Sequence, residues 1–253
     1  MRKAARIMMA KENLAHLQQG FYWVGDKKVQ LNKPKTPECL EVSIPEFLNQ
    51  EKWYSVKDNI MRMEITKFIE RFCLVFKGKK LLVLNFADAW NICGGFLLGY
   101  KAQEECLAYT TTLFGSLSDP KVDDFYYNYN KNLGTPLYSD RMIYSDDILY
   151  YRNLEGTKFL KEPLPVSILT SPAPNRKYCT KNGIPVETAD KALRDRIFKI
   201  VTVIAQKKPD CVALGAFGCG VFGNDRAMVY SLFEEAINKL IPKDSIVVVF
   251  PVI

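Results

Sequence analysis

From residue 81 onward the chain alternates strand-like and helix-like segments, and that alternation limits its fold more than any other feature. Leu81 to Asn85 is a continuous apolar run of strand length, followed by a glycine-rich loop and a helix from about Gln103 to Leu113. Met142 to Tyr144, Ile148 to Tyr151 and Val166 to Thr170 read as strands. Leu193, Ile197, Ile200, Val201 and Ile204 recur at helical spacing and predict a helix over 189–206. Cys211 to Ala216 is strand-like, and 225–240 is helical with Met228, Val229, Leu232, Phe233, Ala236 and Ile237 on one face. Ile246 to Phe250 is a last strand. Buried-type strands separated by amphipathic helices pack as a mostly parallel sheet with helices on both faces. The expectation is an α/β protein, a three-layer α/β/α sandwich with a mixed, largely parallel sheet.

The first 75 residues are less regular. Ile7, Ala10, Leu14 and Leu17 predict a helix over 2–19, and Phe21 to Val24 and Lys28 to Leu31 flank Gly25-Asp26 as a short hairpin. A loop rich in proline and lysine follows, then mixed structure around Val42 to Tyr54 and a helical segment between Asn59 and Cys73. No linker, low-complexity run or repeat divides the chain. It reads as one domain over 1–253, with an N-terminal helical extension of about 1–75 ahead of a core of about 76–253.

Composition narrows the chemistry. There is one histidine, His16, so a Ser-His-Asp or Cys-His triad must use it, and zinc sites with two or three histidines are excluded. A hydrolase built from this chain relies on carboxylates or a backbone cradle. The seven cysteines include no C-x-x-C pair, which argues against a disulfide framework or a zinc knuckle; the expectation is a reduced, intracellular protein, cytoplasmic or, in a eukaryote, nuclear, with no metal or cofactor. Ile7 to Ala10 is cut short by Lys11 and Glu12, too brief for a secretory signal, although an Arg-bearing amphipathic start also suits an organelle transit peptide. No apolar stretch is long enough to span a membrane.

Two constellations carry chemistry. Gly218-Cys219-Gly220-Val221-Phe222-Gly223 satisfies G-x-G-x-x-G between a strand and a helix, where backbone N–H groups and a helix N-terminus can face one anion. The plainer reading is a glycine turn joining the two elements. A Rossmann dinucleotide site needs an acidic residue at the end of the next strand, whereas Asp244 lies before it. A diphosphate ligand fits; a Rossmann domain does not. The second constellation runs from Asn85 to Gly95 and resumes at Gln103-Glu104-Glu105, at a predicted helix start. Acids there are favoured by ~0.3–1 kcal/mol whatever their function. Consecutive helical residues also diverge by about 100°, so both carboxylates reach one cleft only if the helix end points into it.

Asn85-Phe86-Ala87, Gly94-Gly95-Phe96-Leu97, Gln103-Glu104-Glu105, Ser171-Pro172-Ala173-Pro174-Asn175 and the segment from Gly215 to Asn224 together resemble the signature of bacterial-type poly(ADP-ribose) glycohydrolases, which are macrodomain proteins. The order fits over nearly the whole chain and implies a macrodomain-like sandwich. The resemblance makes Glu105 the acid/base at the scissile ribose–ribose bond and Glu104 the partner of hydroxyls on the ribose being released. Gln103 would set the helix end. Gly94 and Gly95 would let backbone close on the distal ribose, beside Asn85, Ala87 and Cys93. Gly218, Cys219, Gly220, Val221 and Gly223 would hold the diphosphate, with Phe222 against the adenosine side. A glycosidic bond breaks through an oxocarbenium-like state, so the leaving oxygen needs a proton and water needs a base. One carboxyl can do both in turn. Asp88 is the only local candidate for a second, opposed carboxylate.

Two positions depart from the family pattern. Cys93 replaces the first glycine of a triple, adding a Cβ at a turn where φ > 0 or close ligand approach favours glycine, and Leu98 stands where a small or polar residue is usual. Tyr126, Tyr127, Tyr129 and Tyr138 are suited to adenine stacking or to loop packing. Ser171 to Val186 is long for a plain connection, and lysines at 27–28, 77–80 and 207–208 read as solvated turns. The formal charge of +7 suits ADP-ribose or its polymer on protein as partner. It equally suits nucleic acid, but no nucleic-acid-binding signature accompanies it. The expected activity is hydrolysis of ADP-ribose glycosidic bonds, in polymer or mono-conjugate. A reader that binds ADP-ribose without hydrolysis is the alternative, and a basic nucleic-acid-binding protein the third.

Overall fold

Gly20 ends the first helix, α1 (Lys3–Gln19): its φ of 76° suits glycine, and its N–H caps the His16 carbonyl. The computed structural model describes residues 2–253. Met9, Ala10 and Asn13 form the buried face of α1, whereas Ile7, Leu14 and Leu17 are only half-buried. A polar anchor explains the rotation: the Asn13 amide donates to the carbonyls of Ala108 and Thr111 and to the Tyr151 hydroxyl. The buried Arg152 guanidinium adds bonds to Glu12 and the Met9 and Tyr109 carbonyls, so the start of the chain is tied to its centre.

The hairpin forms as β1 (Phe21–Val24) and β2 (Lys27–Gln30), a separate two-stranded sheet. Two strands that periodicity did not reveal follow, β3 (Glu38–Leu40) and β4 (Ile60–Arg62). At three residues each they are too short to carry an alternating pattern. The helical reading of 59–73 is therefore corrected: a strand comes first, and α2 (Ile65–Val75) begins five residues after it does. Residues 42–54 contain no helix or strand.

β5 (Leu81–Phe86) leads through the glycine-rich loop into α3 (Gln103–Thr110). That helix stops short of Leu113 because Thr111 turns extended, and α4 (Leu113–Leu117) starts afresh. α5 (Pro120–Val122), a π-helical turn (Asp123–Asn128) and α6 (Tyr129–Leu133) follow without a break. The two short strands expected around 142–151 are one strand, β6 (Met142–Arg152), with a bulge between Ser145 and Ile148. Asp147 sits in that bulge at φ 52°, which interrupts the sequence pattern without ending the strand. β7 (Phe159–Ser171) is longer than predicted, and the presumed loop 171–186 holds α7 (Arg176–Lys181). α8 (Val186–Lys207), β8 (Cys211–Ala213), α9 (Arg226–Leu240) and β9 (Val247–Val252) complete the chain. β8 ends three residues earlier than expected, although the Leu214 N–H still donates to the Val249 carbonyl of β9.

The central sheet has the order β3-β6-β7-β5-β8-β9-β4. The β3/β6 and β6/β7 pairs are antiparallel and the other four are parallel, a mixed, largely parallel sheet. Leu81 and Val83 pack into the core beneath α1, α2 and α3, while Leu82 and Leu84 pack into the core beneath α8 and α9. Burial on both faces is why β5 reads as an unbroken apolar run. The N-terminal segment is more than helical, since β3 and β4 form both edges of this sheet. No helix among the described residues is long and apolar enough to cross a membrane.

Candidate active site

The carboxyl ends of β5, β8 and β9 open into a cavity of 1210 Å³, and the first turn of α3 points into it. Gln103 sets that geometry. Its side-chain carbonyl accepts the Phe86 N–H at 3.0 Å and its amide donates to the Leu84 carbonyl at 2.7 Å, strapping the helix start to the strand end. Both Glu104 and Glu105 consequently reach the cavity, although they are adjacent in a helix. Glu104 is 3% exposed and Glu105 5%.

Their partners differ. Glu104 accepts the Asn85 amide at 3.1 Å on one oxygen and the Asp88 N–H at 2.8 Å on the other. Burial pushes its carboxyl well above the usual carboxylate range, and those two donors offset the shift only in part. Glu105 accepts two backbone N–H groups, from Gly95 at 2.9 Å and Ala102 at 2.6 Å, so one oxygen is held on each side of the loop. Asn85 also donates to the Thr170 hydroxyl, and it stands behind Glu104 rather than in the cavity wall. Ala87, Cys93 and Gly223 likewise lie outside that wall, whereas Gly94, Gly95, Gln103, Gly218, Cys219, Gly220, Val221 and Phe222 line it.

The loop between β5 and α3 is shaped for this arrangement. One Asp88 oxygen accepts the N–H groups of Trp90 at 2.7 Å and Asn91 at 2.8 Å, so this oxygen is engaged in forming the turn. Cys93 and Gly94 are left-handed at φ 54° and 57°. A Cβ on Gly94 would stand 2.7 Å from a Glu105 oxygen and 3.0 Å from one of Glu104. The Tyr109 hydroxyl, donating to the Phe96 and Tyr100 carbonyls, holds the descending part of the loop against α3.

The Cys93 side chain is buried in the core, outside the cavity wall, so the crowding of a bound sugar anticipated from sequence does not arise directly. A side chain in the left-handed region costs ~1–2 kcal/mol. Cys93→Gly removes that strain but loses a buried sulfur and ~0.5–1 kcal/mol through chain entropy. The expected result is a melting temperature within a few degrees of wild type and kcat/KM within about threefold. A tenfold kinetic gain would mean that the Cβ does displace the loop.

The glycine loop after β8 divides its labour. A Cβ on Gly218 would meet the Asn224 amide at 2.4 Å and the Ala173 Cβ at 2.5 Å, so Gly218 permits close packing of two loops. The Asn224 amide joins them by donating to the Pro174 carbonyl. Gly220, by contrast, has open space where a Cβ would stand. The N–H groups of Gly220, Val221 and Phe222 have no hydrogen-bond partner among the described residues, and all three residues line the cavity. Consecutive unpaired N–H groups make an anion-binding concavity. The helix contributes less than its position in the sequence suggested: α9 starts at Arg226, and Asp225 caps it by accepting the Met228 N–H at 2.7 Å.

Phe222, Tyr138 and Trp90 form an aromatic row with centroid separations of 5.9 and 5.6 Å. Tyr126 and Tyr127 are fully buried core residues, and Tyr129 lies against the Arg141 guanidinium. Sequence reasoning missed Lys3, Arg6, Thr66, Tyr100 and Arg226 as cavity residues. Most come from helix starts remote in sequence and carry no motif. No group of three or more His, Cys, Asp or Glu among the described residues is placed to hold a metal.

Two buried carboxylates beside a row of free N–H donors can move protons at a bond next to a bound diphosphate. Residues 10–153 match the profile of the microbial-type PARG (poly(ADP-ribose) glycohydrolase) catalytic domain. Among solved structures, poly(ADP-ribose) glycohydrolase from Thermomonospora curvata bound to the inhibitor ADP-HPD is similar at 28% identity and a TM-score of 0.81, over 98% of this chain and 93% of that one. Poly(ADP-ribose) glycohydrolase from Deinococcus radiodurans in complex with ADP-ribose is similar at 33% identity and a TM-score of 0.68, over 76% and 75%. No curated protein matches the chain.

Proposed function

Because the chain belongs to the microbial-type poly(ADP-ribose) glycohydrolase family, we propose that it is an ADP-ribose glycohydrolase with Glu105 as its acid/base. The observation that carries this reading is the meeting of two buried carboxylates and three unpaired N–H groups in one cavity. The diphosphate lies on the N–H groups of Gly220, Val221 and Phe222, within the turn shaped by Gly218, Cys219 and Gly223. Phe222 packs on the adenosine side. Gly94 and Gly95 face the distal ribose, and Asn85, Ala87 and Cys93 support that wall from behind.

Glu105 protonates the leaving ribose oxygen as the glycosidic bond lengthens, then takes the proton of the water that attacks the anomeric carbon. Its two backbone donors keep it aimed while it cycles. Glu104, biased by burial toward the protonated form, donates to a hydroxyl of the ribose being released. The reaction uses no metal or cofactor. The partner is ADP-ribose or its polymer carried on protein. The chain acts as one unit in which residues 1–75 lend edge strands and a cavity wall to the core of 76–253. Its seven free thiols suit a reduced, intracellular, cytoplasmic setting.

Incubation with poly- and mono-ADP-ribosylated protein, following ADP-ribose release, tests the activity. Release supports it. Binding without release favours the reader, and neither favours the nucleic-acid reading. Gly220→Val tests the diphosphate position without disturbing the fold, because the new side chain enters open space. ADP-ribose affinity by calorimetry should fall about 10- to 100-fold, the effect of losing charge-assisted hydrogen bonds, with the thermal transition unchanged. Normal binding by this variant would place the diphosphate elsewhere.

A further inference from the structure

We infer that the turn between Gly95 and Ala102, with the start of α1 behind it, is a docking surface for the polypeptide that carries the ADP-ribose, a segment with acidic and apolar side chains around a serine or threonine modified on its hydroxyl. The inference rests on the proposed glycohydrolase activity and adds the protein-linked unit to its substrates. Position is the first observation. Glu105 takes its two N–H donors from Gly95 and Ala102, the two ends of this turn. Leu98, Tyr100 and Lys101 lie between those ends and line the cavity. Phe96 anchors the turn in the core beneath α1, α2 and α3, whereas Cys219 and Phe222 of the glycine loop pack on the core of the opposite sheet face. A substrate with its diphosphate on the glycine loop and its scissile bond at Glu105 therefore presents its leaving oxygen to this turn.

Surface chemistry is the second. Leu98 is 59% exposed and Tyr100 54%, large apolar side chains on the cavity wall beside the acid/base. Ribose and phosphate gain nothing from a leucine, whereas a polypeptide does. Tyr100 is a poor platform for the adenine of a second ADP-ribose unit. A Cβ on Gly95 would stand 2.2 Å from its Cδ2, so the side chain is seated on that glycine, and the Lys3 ammonium stands over the ring at 5.6 Å from the centroid. Charge is the third. Lys3, Arg6 and Lys101 line the same cavity, with Glu64 as a carboxylate against them. The Arg6 Nε donates to the Gly99 carbonyl at 2.7 Å, which fixes the start of α1 on the turn. Neither Lys3 nor Lys101 forms an ion pair among the described residues. An excess of cations around apolar side chains complements a segment that mixes acidic and apolar residues. On such a substrate the bond between the anomeric carbon and the side-chain oxygen breaks. The Glu105 proton goes to that oxygen, water adds to the anomeric carbon, and the proton it releases returns to Glu105, leaving ADP-ribose and the free hydroxyl.

The test compares a synthetic peptide bearing one ADP-ribose on a serine flanked by glutamate and leucine, the same peptide with glutamine for glutamate, purified poly(ADP-ribose), and an ADP-ribose glycoside with an uncharged fluorogenic leaving group. Wild type should release ADP-ribose from the acidic peptide with a KM about five- to tenfold below that for the glutamine peptide, and added salt should narrow the gap. Leu98→Ser combined with Lys101→Gln should raise KM for the acidic peptide about five- to tenfold and leave kinetics on the fluorogenic glycoside unchanged. Both positions are exposed, so the fold is kept. No release from either peptide while polymer is cleaved would overturn the docking surface. So would an equal KM for the two peptides, or equal losses by the variant on peptide and glycoside. A loss confined to polymer would overturn it in favour of a second nucleotide unit on this turn. A wild-type protein inert on every substrate would sink the glycohydrolase reading itself.

Discussion

Glu105→Gln should lower hydrolysis of poly(ADP-ribose) by at least ~10²-fold, the loss expected when an acid/base can no longer cycle a proton. Shape is conserved, so ADP-ribose affinity by calorimetry should stay close to wild type. The amide cannot replace the carboxylate fully, however. Glu105 accepts one N–H on each oxygen, from Gly95 and Ala102, and in glutamine one of those atoms becomes an NH₂ facing a donor. The variant should therefore also lose about 1–3 kcal/mol of stability, visible as a lower melting temperature. Near wild-type turnover would remove Glu105 from the reaction.

Gly94→Ala should be nearly as damaging, although alanine carries no charge and reaches no substrate. Its Cβ would fall 2.7 Å from a Glu105 oxygen, closer than real Cβ contacts allow, and 3.0 Å from a Glu104 oxygen, a tight contact. The Glu105 carboxylate must then move and that of Glu104 give slightly, and the residue would also be held at φ 57°, at a cost of ~1–2 kcal/mol. A displacement of that kind at reacting groups costs on the order of 10²-fold in kcat. The loss should appear in kcat more than in ADP-ribose affinity, because the glycine loop is untouched. If kcat stays within a few-fold of wild type, the carboxylates have room to shift and their aim is less stringent than the packing implies.

These two expectations come from different levels. Gln103-Glu104-Glu105 at a helix start is visible in the sequence, and so is the tract from Gly218 to Gly223. That Gly94 must lack a side chain because two carboxylates stand against it is visible only once β5, its loop and α3 are folded together.

The sequence by itself determined the layers of the fold, because its signals are periodic and local. Leu81 to Leu84 are apolar without alternation since both faces of β5 are covered, and the stripe from Leu193 to Ile204 repeats because one face of α8 is. The tertiary structure decided whatever depends on partners distant in the chain. β3 and β4, three residues each, exist through pairing with β6 and β9, about 100 and 190 residues away, and no three-residue segment carries a period. Lys3, Arg6 and Thr66 become cavity residues only because α1 and α2 dock on α3. Cys93 reads as an intrusion into the site but points into the core, a direction set by its backbone angle rather than its residue type. Glu104 and Glu105 are identical neighbours on paper. Glu104 faces a side-chain amide and one N–H and Glu105 two N–H groups, because the surroundings of a charge, and not its place in the chain, determine its chemistry.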